Sequence, residues 1–201
     1  MTRIPLFPLP IVLLPEGLLP LHIFEPRYRR MVARCLEYDR RFGLVFHDPD
    51  RSGPFLSEPG RVGCVAEIET FELLEDGRSL IVTRGSERFR IVAGAETGTP
   101  YYEADVEPYE DVDGVAPAFL KRRRETSLEL FRAVLERLPS GPDGPDGLDA
   151  DADVSFRLAA ALHADADWMQ DFLELREEAA RLDRLDHVFR AVLDAGPPSR
   201  A

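Results

Sequence analysis

Lysine and cysteine are almost absent from this 201-residue chain, and long uninterrupted apolar runs are missing. Cys35 and Cys64 are too few for a disulfide framework and form no C-x-x-C pair, which favours a reducing cytoplasm. Prolines interrupt the apolar N-terminal segment, so it fits neither a signal peptide nor a membrane-spanning helix. No other stretch approaches the roughly 20 apolar residues that a spanning helix needs. We therefore expect a soluble, unexported protein.

Positive charge is also scarce. Lysine and arginine together number 25 against 37 aspartates and glutamates, which leaves a formal net charge of −12. A field of this sign repels phosphate backbones and anionic lipid headgroups. We therefore expect neither nucleic acid nor a membrane as a partner.

The single lysine limits the catalytic chemistry that the sequence can support. A phosphate-binding loop places a lysine after a glycine-rich turn, but Pro117-Ala118-Phe119-Leu120 precedes Lys121. A serine–lysine peptidase needs a serine beside its lysine. Ser127 is the nearest, but on a helix that turns by about 100° per residue the two side chains point apart, and only a distant serine could meet Lys121. No catalytic residue is assigned.

No metal site and no cofactor are predicted. The histidines are scattered and lack the paired spacing of zinc ligands. His47, beside Asp48 and Asp50, is interpreted as a solvated turn residue. Cys35 and Cys64 fall on a predicted helix face and a predicted strand, where buried and unreactive thiols are expected.

The spacing of apolar residues changes near residue 112 and predicts an α+β protein with two parts. Residues 1–112 have short apolar runs separated by glycine and proline, which indicates six or seven strands in a small closed or half-closed barrel with one helix. Residues 113–201 have apolar residues at helical spacing and predict a helical bundle. Within them, residues 139–149 alternate prolines, glycines and aspartates and predict a mobile loop.

A helix is predicted from Pro26, because proline has no N–H to leave unpaired in the first turn and its φ is already helical. Glu25 suits the helix start, and Arg27 is expected to pair with a nearby carboxylate. Apolar residues at intervals of three and four predict one buried face. The members of that face are Tyr28, Met31, Val32, Cys35 and Leu36.

Turn signals predict the strands that follow. Asp76-Gly77 between two β-type runs indicates a hairpin, because both turn positions favour positive φ. The alternation of its first strand, Val62 to Leu74, inverts near Thr70, which indicates a bulge there or burial of both faces at the end. Gly85 to Glu87 is interpreted as the next turn.

Charged residues give two predictions for the helical part. Asp165 or Asp167 is expected to cap a helix that carries Trp168. The run of arginines at 122–124 is expected to form ion pairs along its own helix with the glutamates that follow it.

Four motifs occur in one order over nearly the whole chain. The first is Ile4-Pro5-Leu6-Phe7-Pro8-Leu9 followed by Leu18 to Tyr28, which reads LLPLHIFEPRY. Gly63 to Ile68 reads GCVAEI, Gly85 to Ile91 reads GSERFRI, and Gln170 to Leu175 reads QDFLEL. Each motif is weak alone, but together they resemble the Lon protease N-terminal domain, the LON substrate-binding domain family.

The resemblance implies a PUA-like β pseudo-barrel followed by a helical bundle, in agreement with the two parts inferred from apolar spacing. Cys64 stands where the family usually has threonine, so a hydroxyl hydrogen bond is not expected there. The chain ends where a full Lon protease would continue into its ATPase and peptidase domains, so it resembles the stand-alone type. The activities of those domains are not implied.

The resemblance and the missing catalytic set predict a non-catalytic module that binds unfolded or extended polypeptide segments. The expected site is an apolar groove between barrel and bundle. The candidate peptide-binding residues are Leu14, Pro15, Leu18, Phe42, Phe46 and Phe71.

Two other functions are considered. A small-molecule binder or hydrolase would use a pocket at the barrel mouth, with Glu67, Glu69, Arg84 or Arg88 as its polar groups. RNA binding follows only from analogy with PUA-like folds, and the acidic charge opposes it. The sequence leaves the identity of the partner and the oligomeric state open.

Overall fold

The computed structural model describes residues 1–112, 114–137, 147–162 and 164–195. Contacts divide the chain into two compact units, of which the first comprises Met1–Glu110 and Ala164–Glu174. The second comprises the described residues within 111–163 and 175–201. Most of the predicted loop at 139–149 lies outside the described residues, and the boundary after residue 112 stays a prediction. The α+β class is confirmed.

The described residues form six strands and six helices. The strands are β1 (Thr2–Leu9), β2 (Leu18–Ile23), β3 (Arg41–Phe46), β4 (Val62–Leu73), β5 (Ser79–Ala95) and β6 (Tyr102–Pro108). The helices are α1 (Pro26–Glu37), α2 (Pro49–Ser52), α3 (Pro117–Arg137), α4 (Ser155–Ala160), α5 (Ala166–Leu173) and α6 (Glu178–Asp194).

All six strands belong to one sheet in the first unit. Their order is β2-β5-β4-β3-β1-β6, and β5 also pairs with β6. Five strands therefore close into a barrel, and β2 extends the sheet beside β5. Among the described pairings only β1 and β3 run parallel.

β5 is one strand of 17 residues, although the sequence predicted a turn at Gly85 to Glu87. Its first half pairs with β2 and its second half with β6, while β4 pairs with it from Ser79 to Arg90. Glycine is needed at position 85 because a Cβ there would lie 2.1 Å from the Leu14 carbonyl oxygen. The Gly85 amide also donates to the Gly17 carbonyl oxygen at 2.9 Å. This glycine allows a close approach of two backbones and not a turn.

α1 begins at Pro26 and buries its apolar face in the barrel core, as predicted. Tyr28, Met31, Val32 and Cys35 are all buried on this helix. They join a core cluster that includes Phe42. Burial raises the pKa of the Cys35 thiol to about 12, so the thiol stays neutral at physiological pH. The predicted carboxylate partner of Arg27 is Glu25, which accepts from its Nε at 2.9 Å.

α5 belongs to the first unit, although it follows most of the helical residues in sequence. Its N-cap is Asp165, one of the two predicted caps, which accepts from the Trp168 amide at 2.8 Å. Gln170 Nε2 donates to the Val62 carbonyl oxygen at 3.1 Å. A guanidinium nitrogen of Arg88 donates to the Leu173 carbonyl oxygen at 2.6 Å. These bonds attach the helix to β4 and β5.

In the second unit α3 packs against α6, and the Phe131 and Phe189 rings meet with centroids 5.5 Å apart. The ion pairs predicted along α3 run instead to α6. Arg123 pairs with Asp186 at 3.0 Å, and Arg124 donates to both carboxylate oxygens of Glu178 at 2.7 and 2.6 Å. The reason is burial, because these carboxylates are almost enclosed and require a nearby cation.

Arg181 of α6 is the largest fully buried side chain of the described residues. It donates two hydrogen bonds to Asp111, at 2.8 and 2.5 Å, and one to Asp153 at 2.8 Å. Ser155 accepts another at 2.8 Å, and the guanidinium lies 4.3 Å from the centroid of the Phe156 ring. The Arg181 cation therefore compensates the charges of two carboxylates. It also links α6 to the segment that precedes α3 and to the segment that precedes α4.

Substitution of this arginine should destabilise the second unit. Arg181→Met is expected to lower the free energy of unfolding by about 3–5 kcal/mol, because two partly buried carboxylates lose their cation. Exposed Arg122, which has no ion pair within the described residues, provides the control, and Arg122→Met should change it by less than about 0.5 kcal/mol. Urea unfolding at neutral pH measures both. Equal, small losses would show that the cluster does not stabilise the fold.

Candidate functional site

β2, the end of β4 and the start of β5 form a three-stranded segment that we call the ribbon, residues 18–23, 69–73 and 79–84. Residues paired directly across neighbouring strands point to the same side of a sheet. Across β2 and β5, the pairs on one side are Leu18–Arg84, Pro20–Val82 and His22–Leu80. Thr70 and Glu72 of β4 pair with Val82 and Leu80 and continue this side, which we call the outer face.

The outer face is apolar at its centre and charged at its rim. Leu18 is 56% exposed and Leu80 is 43% exposed, so both present apolar surface to solvent. The face includes a concavity of about 500 Å³ formed by residues of all three strands. Arg84 and Glu69 form an ion pair at its edge. An apolar patch with a polar rim is typical of an interaction surface.

β2 is an edge strand, because β5 is its only strand partner among the described residues. Hydrogen-bonded and non-hydrogen-bonded pairs alternate along an antiparallel ladder. The Gly17 carbonyl oxygen accepts from the Gly85 amide, so the carbonyl group at position 17 points towards β5. Leu18, Pro20 and His22 are therefore the positions whose backbone groups point away from β5. Pro20 has no N–H, so the free edge offers the N–H and C=O groups of Leu18 and His22.

The six predicted binding residues differ sharply in exposure. Leu14 and Phe42 are buried, at 3% and 0% exposed, and Phe42 lies in the core cluster with α1. Pro15 and Phe46 are half-buried. Leu18 and Phe71 are exposed, at 56% and 40%, and both belong to the ribbon. Only these two have the exposure that direct contact with a partner requires, and the whole set stays a prediction.

Sequence reasoning missed the other apolar members of the outer face, Pro20, Leu80 and Val82. Leu80 and Val82 alternate with buried Ile81 and Thr83, and this alternation was the available signal. The register between β2 and β5 places Leu80 and Val82 on the same face as Leu18 and Pro20. The sequence alone does not reveal that register.

The polar groups proposed for a small-molecule site have partners within the first unit. Glu67 accepts from the Arg41 Nε at 2.8 Å, and Glu69 pairs with Arg84. Arg88 is buried and donates to a carbonyl oxygen of α5. These groups therefore contribute to the packing of the barrel and its neighbours.

Other candidate chemical groups have local partners as well. Lys121 Nζ donates to Asp151 at 2.6 Å, and the Ser127 hydroxyl donates to Asp186 at 2.5 Å. His47, expected to be solvated, is buried, and its Nε2 lies 2.8 Å from the Gly53 carbonyl oxygen, because the short helix α2 folds back over it. Burial also raises the pKa of the Cys64 thiol.

Membrane-spanning helices and metal sites can be assessed for the part of the chain that the structure describes. Within it, no helix combines the length and apolar character needed to cross a bilayer. The same residues contain no group of three His, Cys, Asp or Glu side chains arranged to hold a metal ion.

The sequence motifs meet in the structure. Gln170 of the late motif binds the backbone at Val62, directly before the GCVAEI strand, and Arg88 of the GSERFRI motif binds the backbone at Leu173. Residues 3–188 match the model of the ATP-dependent protease La (LON) substrate-binding domain. This chain belongs to that family.

Solved structures share the fold of this LON domain. A Lon N-terminal domain protein from Xanthomonas campestris is 26% identical and superposes with a TM-score of 0.66, over 92% of this chain and 97% of that one. The N-terminal domain of Lon protease from the Mycobacterium avium complex is 18% identical with a TM-score of 0.72, over 94% and 98%. The Lon N-terminal fold predicted from the motifs is confirmed.

A curated relative is much longer than this LON domain. The Lon protease of Cytophaga hutchinsonii is 23% identical over 177 residues, which is 85% of this chain and 22% of that protein. The chain therefore spans about a fifth of its length.

Two substitutions should separate core residues from surface residues among the predicted set. Phe42→Ala is expected to lower the free energy of unfolding by about 3–5 kcal/mol, because it opens a cavity beside α1. Leu18→Ser should change it by less than about 1 kcal/mol, because the side chain is mostly exposed. Urea unfolding gives both values. A large loss for Leu18→Ser would show that this leucine supports the fold.

Proposed function

We propose that this LON domain binds extended, apolar segments of unfolded polypeptides on the ribbon and catalyses no reaction. The observation that supports this most directly is the combination of exposed Leu18 and Leu80 on one face with an adjoining edge of β2 that no strand of the described residues covers. Family membership supports the same role, since the matched domain is named for substrate binding in a protease.

The geometry suits strand addition. A peptide laid along β2 would pair its backbone with Leu18 and His22, while alternate side chains reached the outer face. Backbone pairing is independent of sequence, and apolar side chains supply the remaining affinity by leaving water. Such a site accepts many unfolded polypeptides and few folded ones, because folded chains have already paired their backbones.

Pro20 limits this mode of binding. It interrupts the ladder at the middle of the edge, so an added strand gains fewer hydrogen bonds there. Prolines and charges on edge strands also oppose pairing between copies of a protein. The edge is therefore suited to weak and reversible binding.

Substitutions on the outer face should weaken binding without affecting the fold. Leu18→Ser combined with Leu80→Ser is expected to weaken binding of reduced, alkylated α-lactalbumin at least about tenfold, because two apolar contacts are lost. Leu56→Ser is the matched control, since Leu56 is 62% exposed in the first unit but outside the ribbon. Isothermal titration measures all three proteins.

Equal affinity of the double variant and the Leu56→Ser protein would contradict the ribbon as the site. No binding by the unsubstituted protein would contradict the proposed function itself. Circular dichroism of each variant checks that its fold is retained.

A second substitution tests strand addition. His22→Pro removes an outward-pointing N–H and keeps the bonds between β2 and β5, as Pro20 already does two positions earlier. Loss of one hydrogen bond of about 1 kcal/mol should weaken binding of the unfolded protein about fivefold. His22→Ala retains the backbone donor and is the control. If both variants bind equally well, the edge of β2 does not pair with the ligand.

A further inference from the structure

A second apolar groove lies on the opposite side of the ribbon, between α1 and the β4–β5 hairpin. Its volume is about 480 Å³. Phe71 and Leu73 point to this side, because they pair with buried Ile81 and Ser79. We call it the α1 groove. It belongs entirely to the first unit.

The hairpin side of the α1 groove is strongly exposed. Leu73 is 66% exposed, more than any other leucine of the described residues, although it is the last residue of a strand that begins in the core. The helix side contributes Val32, Ala33 and Leu36. The groove therefore offers a continuous apolar floor that a partner could cover.

The α1 groove also carries two arginines, Arg29 and Arg30, which are exposed and form no ion pair within the described residues. The other two arginines of α1 are paired: Arg27 with Glu25, and Arg34 with Glu103 at 2.5 Å. Arg29 lies against the hairpin turn at Gly77, where a Cβ would be 2.3 Å from its guanidinium nitrogen. Its guanidinium therefore lies beside the hairpin turn, at the rim of the groove.

Unpaired cations beside an apolar floor are notable in a chain with a net charge of −12. Arg29 and Arg30 are among the exposed arginines that have no carboxylate partner within the described residues, and they are neighbours that both border an apolar groove. The complementary ligand has apolar side chains next to carboxylates. We propose that the α1 groove binds a short segment of a partner protein in which leucine or phenylalanine residues alternate with glutamates or aspartates.

This site is separate from the outer face of the ribbon and does not depend on the proposed function. The two surfaces lie on opposite sides of β4 and β5, and they select by different chemistry. The outer face binds by apolar contact and backbone pairing, whereas the α1 groove also requires negative charge on the ligand. Phe71 borders both concavities, so the tests do not substitute it.

The probes are three synthetic peptides that share one pattern of leucine and phenylalanine. The remaining positions are glutamate in the first, glutamine in the second and lysine in the third. Fluorescence anisotropy with the full chain should show binding of the glutamate peptide, with affinity at least about fivefold above that of the glutamine peptide. Raising the salt concentration should reduce this difference, because exposed charges are screened.

Substitutions assign the binding to the α1 groove. Arg29→Glu with Arg30→Glu should weaken binding of the glutamate peptide about tenfold or more. The affinity for the glutamine peptide should stay within about twofold of that of the unsubstituted protein. Leu73→Ser should weaken both peptides. The control, Arg122→Glu with Arg132→Glu, changes the net charge equally through exposed arginines of α3 and should have no effect.

Three results would overturn the proposal: equal binding of the glutamate and glutamine peptides, equal effects of the two charge-reversal variants, or no binding at all. Sedimentation that shows dimers of the unsubstituted chain, lost in Leu73→Ser, would assign the groove to a second copy of this chain instead. The Leu18→Ser, Leu80→Ser protein should bind the glutamate peptide normally, so failure of the outer face leaves this test intact.

Discussion

The continuity of β5 is the constraint on which the rest of the first unit depends. One strand supports β2 with its first half, closes the barrel against β6 with its second half and pairs with β4 over most of its length. This dual role requires a residue without a side chain at position 85, where the backbone at Leu14 packs against the strand. β2 has a partner on one side because β5 extends beyond the closed barrel. The outer face, the free edge and the α1 groove all follow from that extension.

Ion pairing separates the charged groups that support the structure from those available to a partner. Arg88 and Arg181 are buried and engage backbone or carboxylate oxygens, so their charges serve packing. Arg29 and Arg30 remain without ion pairs in the described part of the chain. Arg29 and Arg30 therefore place two positive charges beside the apolar α1 groove. Exposed apolar surfaces with charges at their rims are typical of interaction surfaces.

Features that depend on neighbouring residues could be predicted from the sequence. The helix start at Pro26 and the bulge near Thr70, seen as a register shift between Ile68 and Thr70, are examples. The continuous path of β5 through Gly85 could not be predicted, because glycine occurs both in turns and where two backbones approach closely. Phe42 was assigned to the site because an apolar run does not show which of its faces are buried. The outer face required the register of β2 on β5, which depends on contacts distant in sequence.

The most direct test of polypeptide binding on the ribbon is amide hydrogen exchange, followed by NMR, with and without a saturating unfolded polypeptide. Leu18 and His22 donate outward from the edge, whereas the amides of Leu19 and Leu21 already bond to β5. We expect the ligand to slow exchange at Leu18 and His22 and to leave Leu19 and Leu21 almost unchanged. Binding that leaves the amides of the ribbon unprotected and protects the helices of the second unit would contradict the account.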